Sequence, residues 1–249
     1  MRALTVFRSL VFNVVFYLNL VVFLVLGLGV LLTPRAWSMA ALKVWSRTSL
    51  WWLAVVAGTR LEVRGQEHLP AGAALVAGKH QSLWETFAIF PLLDDPAIVL
   101  KRELMWIPVL GWLAWKFGMI PVDRSARGPA LKSLLRRAEA AVADNRQIIV
   151  FPEGTRCAPD APPDYKSGAT ALYLKLKVPC VPFALNSGLF WPRRRFLRRP
   201  GTIILEFLPA IPPGLPRREF ERRLIEAIEP ATARLVAEGR REIAGESLQ

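Results

Sequence analysis

The chain has 249 residues, which is the length of one domain with an additional segment and is enough to bury a hydrophobic core. Its two cysteines, Cys157 and Cys180, are too few for a disulfide framework, and neither lies in a zinc-binding spacing. We therefore expect two reduced, inert thiols in a protein that faces the cytosol. The net charge of +13 predicts a polyanionic partner, either nucleic acid or an anionic membrane surface.

The distribution of the charge favours the membrane. The first 60 residues contain six basic residues and no Asp or Glu, and the basic residues flank apolar segments instead of forming one continuous stripe. The sequence has no zinc-finger, RNP-like or basic-zipper pattern. Nucleic acid is therefore the weaker alternative, and we expect anionic membrane lipids as partners.

Residues 10–32 are almost entirely apolar, and Asn13 and Asn19 are their only strongly polar side chains. A helix of this length is about 34 Å long, which slightly exceeds the hydrocarbon core of a bilayer. A cleaved signal peptide is the alternative, but the stretch is too long and runs into Thr33-Pro34-Arg35 without a small-residue cleavage site. We expect a helix that is retained in the membrane.

Residues 37–58 form a different kind of helix, in which tryptophans are interspersed with basic and hydroxyl side chains. This composition is typical of the headgroup region, although the tryptophans could instead pack on the core of the domain that follows. The sequence leaves open whether the two helices cross the bilayer as a hairpin or share one leaflet. We expect residues 1–58 to form membrane-anchoring helices and residues 59–249 to form the α/β domain.

The rest of the chain alternates short strands with helices. Several strands are continuous runs of Val, Ile and Leu, as in strands that are covered on both faces. The predicted strands are residues 61–64, 73–77, 97–100, 119–122, 147–151, 181–185 and 202–208. The predicted helices are residues 83–92, 107–117, 129–145, 167–176 and 217–238. The pattern predicts an α/β fold with a mixed central sheet of about seven strands, flanked by helices and preceded by the N-terminal membrane helices.

Two histidines are available as a general base. His68 lies in a polar turn and is expected to be solvated. His80 lies between a predicted strand and a helix, which is where α/β sheets bind ligands. Glu85 falls in the first helical turns, from which its carboxylate can accept a hydrogen bond from Nδ1 and leave Nε2 free to take a proton. A helix start with a non-catalytic histidine is the alternative, because this spacing also arises by chance.

A second pattern suits phosphate. Phe151-Pro152-Glu153-Gly154-Thr155-Arg156 follows a predicted strand, and its glycine, N–H groups and arginine can bind an anion. A turn capped by a surface arginine has the same pattern. Lys101 and Arg124 each follow a strand and could join Arg156 around one phosphate. The nearby Arg102 and Asp123 suit a surface ion pair.

Three other segments complete the candidates. Met105-Trp106-Ile107 and residues 112–115 are apolar enough to line an apolar tunnel or to touch lipid. Val178-Pro179-Cys180-Val181-Pro182 is a buried strand, which we expect to line the site by packing and without proton chemistry. The basic and aromatic residues 191–199 suit either anionic headgroups or an acidic carrier protein. A serine hydrolase is excluded because no G-x-S-x-G is present, and a covalent intermediate on Cys157 is a minor alternative.

Four of these blocks, in this order, resemble the glycerolipid acyltransferase family, most closely its bacterial 1-acylglycerol-3-phosphate acyltransferase branch. They are the histidine and acid at His80 and Glu85, Lys-x-Glu-Leu at residues 101–104, Phe-Pro-Glu-Gly-Thr-Arg at residues 151–156, and Val-Pro-x-x-Pro at residues 178–182. The similarity covers about residues 58–210. Two positions depart from the family pattern: Glu85 stands where Asp is usual, and Lys79 stands where Asn is frequent.

The resemblance implies roles for these residues. His80 would be the catalytic base with Glu85 as its partner. Lys101 and Arg124 would help to bind the phosphate of the acceptor, together with a phosphate-binding loop of Glu153, Gly154, Thr155 and Arg156.

The resemblance also implies an activity, which is transfer of a fatty acyl group to the sn-2 hydroxyl of lysophosphatidate to give phosphatidate. The acyl thioester of coenzyme A or of acyl carrier protein would be the co-substrate, without a further cofactor or a metal. The expected location is the cytoplasmic membrane, with the catalytic domain facing the cytosol. Acylation of another lysolipid, such as a lyso-ornithine lipid, is the second hypothesis. A non-catalytic, membrane-anchored lipid-binding protein is the third.

Overall fold

The chain begins with two helices that run along each other. The computed structural model describes residues 2–123 and 127–245, in which α1 (Arg2–Val30) is followed by α2 (Arg35–Trp52) and a π-helical turn, Leu53–Ala57. The break between the helices lies at Pro34, because a proline disfavours helical backbone in the residue before it and readily begins the next helix. α1 covers residues 10–30 of the membrane helix predicted at residues 10–32 and starts eight residues earlier.

The helices lead into a seven-stranded mixed sheet, as the sequence predicts. The strands are β1 (Thr59–Arg64), β2 (Ala74–Gly78), β3 (Pro96–Lys101), β4 (Ile120–Val122), β5 (Gln147–Val150), β6 (Cys180–Leu185) and β7 (Gly201–Phe207). Their order is β1-β7-β6-β2-β5-β3-β4. The five strands from β6 to β4 are parallel, whereas β7 is antiparallel to β6 and β1 pairs in parallel with β7. The carboxyl ends of five neighbouring strands therefore meet at one edge.

Helices cover both faces of this sheet. They are α3 (Glu85–Ala88), α4 (Leu110–Lys116), α5 (Arg127–Ala143), α6 (Ser167–Leu176), α7 (Ser187–Phe190) and α8 (Arg217–Ala244). The helix predicted at residues 83–92 is divided into α3 and a 3₁₀ turn, Phe90–Leu92. The helix predicted at residues 107–117 begins later, after Pro108 and the positive-φ residue Val109. The sequence did not predict the four-residue α7.

The two N-terminal helices share their hydrophobic core with the sheet. Phe12 and Phe16 of α1 are buried in the same cluster as residues of β2, β5 and β6. The ring centroid of Phe16 lies 5.7 Å from that of Phe87 and 5.4 Å from that of Trp191. The helices therefore pack on the α/β part of the molecule and do not project away from it.

The outer face of α1 is apolar and exposed. Ala3–Val30 is long and apolar enough to cross a membrane, with a mean hydropathy of 2.4, and only 17% of its most apolar window is buried. Exposed Val, Leu and Tyr side chains continue along the helix, and Trp37 and Trp51 of α2 are exposed as well. An apolar surface of this size on an N-terminal helix indicates association with a membrane.

Candidate active site

The predicted site residues lie at the carboxyl edge of the parallel strands. His80 follows β2, the loop of residues 151–156 follows β5, and Lys101 ends β3. β2 and β5 pair in parallel, and β5 pairs in parallel with β3. Three separate sequence blocks are therefore brought to one edge of the sheet, which is the usual ligand position in α/β folds.

His80 and Glu85 are hydrogen-bonded. The Nδ1 atom of His80 lies 2.9 Å from Oε1 of Glu85, the first residue of α3. A carboxylate only accepts hydrogen bonds, so this contact places the imidazole proton on Nδ1 and leaves Nε2 as an acceptor. The extra methylene of glutamate thus still allows the contact that an aspartate would make. The glutamate side chain is fully buried, and 14% of the histidine side chain is exposed.

Glu85 accepts further hydrogen bonds. Its Oε1 atom accepts from the N–H groups of Gln81 and Ser82, both at 2.6 Å. Its Oε2 atom accepts from Oγ–H of Ser187 at 2.8 Å. These donors hold the buried charge in place and explain why α3 begins at Glu85, because the preceding N–H groups bond to its side chain.

The loop of residues 151–156, called here the phosphate loop after the role that the sequence predicts for it, wraps around His80. The ring of Phe151 stacks on the imidazole with centroids 4.2 Å apart. The backbone N–H of His80 points to Glu153 Oε2 at 3.3 Å, and the N–H of Cys157 donates to the His80 carbonyl at 2.7 Å. The position of the histidine and the conformation of the loop are therefore coupled.

The phosphate loop exposes groups that suit an anion. Gly154 has φ 66°, a left-handed conformation that glycine adopts without strain, and its N–H closes a turn on the Phe151 carbonyl at 2.9 Å. Among the described residues, the N–H groups of Thr155 and Arg156 have no hydrogen-bond acceptor, and the Arg156 guanidinium has no partner. The Arg156 carbonyl accepts a hydrogen bond from Arg193 at 2.6 Å.

Glu153 differs from the rest of the loop. Its carboxylate is turned inward, 2.6 Å from the ammonium group of Lys79, and both side chains are almost completely buried. The same ammonium lies 3.1 Å from Glu229 of α8, and Glu229 also accepts a hydrogen bond from the Tyr165 hydroxyl at 2.7 Å. Lys79 therefore faces two carboxylates beneath the phosphate loop and does not point outward as a free cation.

The remaining cations lie nearer the surface. Lys101 is half exposed and pairs with Glu103 at 2.8 Å. Arg102 and Asp123 form the surface ion pair that the sequence suggests, at 2.7 Å. Arg124 lies outside the described residues.

The apolar segment between these cations is also exposed. Trp106, Trp112 and Trp115 are 66%, 54% and 72% exposed. Trp112 and Trp115 border a hollow of about 480 Å³ whose other walls include Leu31. Of the two sequence hypotheses for this segment, contact with lipid is the one that this exposure favours.

The cysteines lack the properties of a nucleophile. Burial raises the pKa of the Cys180 thiol, and burial together with the Glu153 charge raises that of Cys157. Both shifts reduce the thiolate fraction at neutral pH. In the part of the chain that the structure describes, no three His, Cys, Asp or Glu side chains are grouped so that they could hold a metal ion.

The sequence and the fold match a known class of enzymes. The family model described as Acyltransferase matches residues 60–186, more than half of the chain, so the chain belongs to this acyltransferase family. The structure resembles the crystal structure of the 1-acyl-sn-glycerophosphate (LPA) acyltransferase PlsC from Thermotoga maritima. The TM-score is 0.77 over 94% of this chain and 98% of that one, at 24% identity.

Two curated relatives have names that are more specific than the family description. The chain is 37% identical to a 1-acyl-sn-glycerol-3-phosphate acyltransferase of Pseudomonas aeruginosa over 167 residues, 67% of this chain and 65% of the relative. It is 30% identical to the alpha form of that enzyme from Mus musculus over 158 residues, 62% of this chain and 55% of the relative. The matched region thus spans less than two thirds of the length of either relative.

The sequence did not single out Ser187, Gln81 or Glu229. Ser187 follows β6, whose carboxyl end lies at the same sheet edge as His80, and this position was the available signal. Glu229 lies on α8, far from the other blocks in sequence, where it resembles any charged residue of an amphipathic helix. Its contact with Lys79 depends on how α8 packs, so no local pattern indicates it.

Proposed function

We propose that the protein is a 1-acylglycerol-3-phosphate O-acyltransferase, which transfers an acyl group from a thioester to the sn-2 hydroxyl of lysophosphatidate. The observation that carries the proposal is the 2.9 Å contact between His80 and Glu85 beside the phosphate loop. The membership of the acyltransferase family and the names of the two curated relatives support the same activity.

In the proposed reaction His80 Nε2 takes the proton of the acceptor hydroxyl as its oxygen attacks the thioester carbonyl. The tetrahedral adduct then collapses, the carbon–sulfur bond breaks, and the thiolate takes the proton back from His80. Glu85 stabilises the imidazolium between these steps and holds the ring in one tautomer. The nucleophile comes from the substrate, so the protein needs no acyl-enzyme intermediate.

For the phosphate of the acceptor we propose the Arg156 guanidinium and the backbone N–H groups of Thr155 and Arg156 as its ligands. The unpartnered guanidinium and N–H groups described above support this role. Gly154 provides the left-handed turn, and Glu153 supports the loop from below through Lys79. Lys101 and Arg124 are proposed as further cations near the same phosphate.

We propose that α1 and α2 anchor the protein in one leaflet of the bilayer. Along α1, Ser9 exchanges hydrogen bonds with Arg198, and Phe23 stacks on Phe117 with centroids 6.5 Å apart. At the end of the same face, a Cβ added at Gly27 would lie 2.8 Å from Leu113. The α/β part therefore flanks about 27 Å of the helix. A helix crossing the bilayer would draw this polar domain into the hydrocarbon, whereas a helix lying in the interface would not.

Labelling from one side tests this placement. Single cysteines are introduced at Ala3 and at Thr33, near the two ends of α1, in protein without Cys157 and Cys180. In sealed vesicles with the α/β domain outside, an in-plane helix allows a membrane-impermeant thiol reagent to label both positions. Labelling of only one position would show that α1 crosses the bilayer.

We propose the cytoplasmic membrane as the location, with the α/β domain in the cytosol and anionic lipids as partners. The free thiols support a reducing compartment. The loop of residues 193–199 supports contact with anionic lipid, because its Phe196 and Arg198 bond to Asn13 on the apolar helix α1. Its exposed arginines are thus placed beside the membrane face, where each cation contributes about 1 kcal/mol of attraction.

Purified protein tests the activity directly. Given lysophosphatidate with acyl-CoA or acyl carrier protein thioesters, the wild type should form phosphatidate. Transfer only to another lysolipid, such as a lyso-ornithine lipid, would replace the proposed substrate. Acyl transfer to no lysolipid from either donor would leave a lipid-binding protein and contradict the proposal.

A further inference from the structure

Ser187 contacts the side chain that orients the proposed base. It is the first residue of the short helix α7, directly after β6, and it is fully buried. Its hydroxyl donates to Oε2 of Glu85 at 2.8 Å, whereas the other donors to this carboxylate, including His80 Nδ1, all reach Oε1. Among the described residues Ser187 is thus the only donor to Oε2.

The segment that carries Ser187 is itself held in place. The Asn186 side chain donates to the Leu235 carbonyl at 3.2 Å and accepts from the Ile204 N–H at 2.9 Å. The N–H of Gly188 donates to Gln81 Oε1 at 2.9 Å. Contacts on both sides of Ser187 therefore fix its backbone relative to the His80 loop, so the position of this segment does not depend on the bond to Glu85.

The length of the Glu85 side chain makes this contact available. Its carboxylate lies between the N–H groups of residues 81 and 82 on one side and α7 on the other. An aspartate at the same backbone position would place its carboxylate one methylene closer to α3. The glutamate thus bridges the His80 loop and the end of β6, two segments separated by about 100 residues in sequence.

We propose that Ser187 is a positioning residue for acyl transfer, which fixes the Glu85 carboxylate and through it the orientation of the His80 imidazole. This role rests on the proposed function. With Ser187 in place both carboxylate oxygens are satisfied and the carboxylate cannot rotate away from Nδ1. Without the hydroxyl, Oε2 is left buried and unpaired. The carboxylate then rotates until both of its oxygens share the donors that remain.

Ser187→Ala tests the proposal. We expect kcat for phosphatidate formation to fall roughly 10-fold, as when one hydrogen bond to a charged group is lost, while KM for both substrates changes less than about twofold. Ser46→Ala is the matched control, because Ser46 is equally buried and its hydroxyl has no hydrogen-bond partner in the described chain. The control should retain the wild-type kcat.

A double-mutant cycle separates positioning from a purely structural role. In a Glu85→Ala background, Ser187→Ala should change kcat by less than about twofold, because the carboxylate through which it acts is gone. An equal loss of kcat in both backgrounds would show that Ser187 only supports the fold. An unchanged kcat in the Ser187→Ala single variant would also overturn the proposal.

Ser187→Cys decides the question if an alanine variant does not fold. The thiol has nearly the shape of the hydroxyl but is a weak donor, so kcat should fall at an unchanged thermal midpoint. A folded cysteine variant with the wild-type kcat would overturn the role of Ser187. An inactive wild type would instead contradict the proposed function, which distinguishes the two failures.

Discussion

The ammonium group of Lys79 lies 2.6 Å from the carboxylate of Glu153, beneath the loop that we propose to bind phosphate. Burial alone would lower the pKa of this lysine, but the hydrogen bonds and charges of Glu153 and Glu229 outweigh it and raise the pKa. Lys79 therefore stays charged at neutral pH and connects β2, the phosphate loop and α8. Lys79, one of the two residues that depart from the family pattern, is thus a structural counter-ion, and its charge is balanced before any substrate binds.

Replacing Lys79 should be tolerated only together with a second change. Lys79→Asn leaves Glu153 and Glu229 close together without a cation. Removing one partner of a buried ion pair costs about 3–5 kcal/mol, and we expect the lower end because Glu229 is partly exposed. The measurement is the free energy of unfolding in detergent, together with the KM for lysophosphatidate, which should rise as the loop loses its support.

Adding Glu229→Gln to Lys79→Asn should restore at least about half of the lost stability, because it removes one of the two unbalanced charges. Glu226→Gln on the exposed face of the same helix is the control and should restore nothing. Equal behaviour of the two double variants would show that Glu229 does not share the charge of Lys79.

His80→Ala should abolish most of the acyl transfer. Loss of a general base lowers kcat by about 10²–10⁴-fold, and the binding of both substrates should change little. His68→Ala is the matched control, because His68 is the other histidine of the chain and lies in the 3₁₀ turn after β1. Comparable losses in the two variants would contradict the assignment of His80 as the base.

The sequence predicted the sheet and the His80–Glu85 pair because both are local. Continuous apolar runs define the strands, and a histidine five positions before an acid at a helix start determines one contact. The turn of residues 151–156 was predicted for the same reason, from a glycine and an arginine at the end of a strand, and its phosphate-binding role stays a prediction.

What the sequence could not predict depends on packing between distant segments. Ser187 and Glu85 are 102 residues apart, and Lys79 and Glu229 are 150 apart. A serine after a strand and a glutamate on an amphipathic helix are common in any sequence. Only the parallel pairing of β6 with β2 and the docking of α8 give these two residues their roles.

Arg156→Ala should weaken the binding of the phosphorylated acceptor. A hydrogen bond to a charged group contributes about 1.5–3 kcal/mol, so KM for lysophosphatidate should rise at least about 10-fold with a smaller change in kcat. The preference for lysophosphatidate over monoacylglycerol, which lacks the phosphate, should fall by the same factor. Arg136→Ala on the exposed surface of α5 is the control. If the Arg156 variant keeps the wild-type preference for lysophosphatidate, the phosphate of this substrate binds elsewhere.

Asp95 attaches α2 to the sheet, and a low pH should weaken this attachment. Its carboxylate pairs with Arg35 of α2 at 2.6 Å and with the buried Arg146 at 3.2 Å. Burial alone would raise the pKa of Asp95, but the two arginines lower it below the ordinary value of 3.8. A lowered folded-state pKa contributes stability above the unfolded-state pKa, and this stability is lost as the pH falls through the folded-state value.

Asp95→Asn should therefore reduce the free energy of unfolding at pH 7 by roughly 1.5–3 kcal/mol, the range for hydrogen bonds to a charged group. The gap between the variant and the wild type should narrow as the pH is lowered from about 4, because the wild-type carboxylate then becomes protonated as well. Glu139→Gln, which alters an exposed pair with Lys175, should show no gap of this size at any pH. A gap for Asp95→Asn that stays constant down to pH values below 3.8 would mean that the charge of Asp95 does not hold α2 on the sheet.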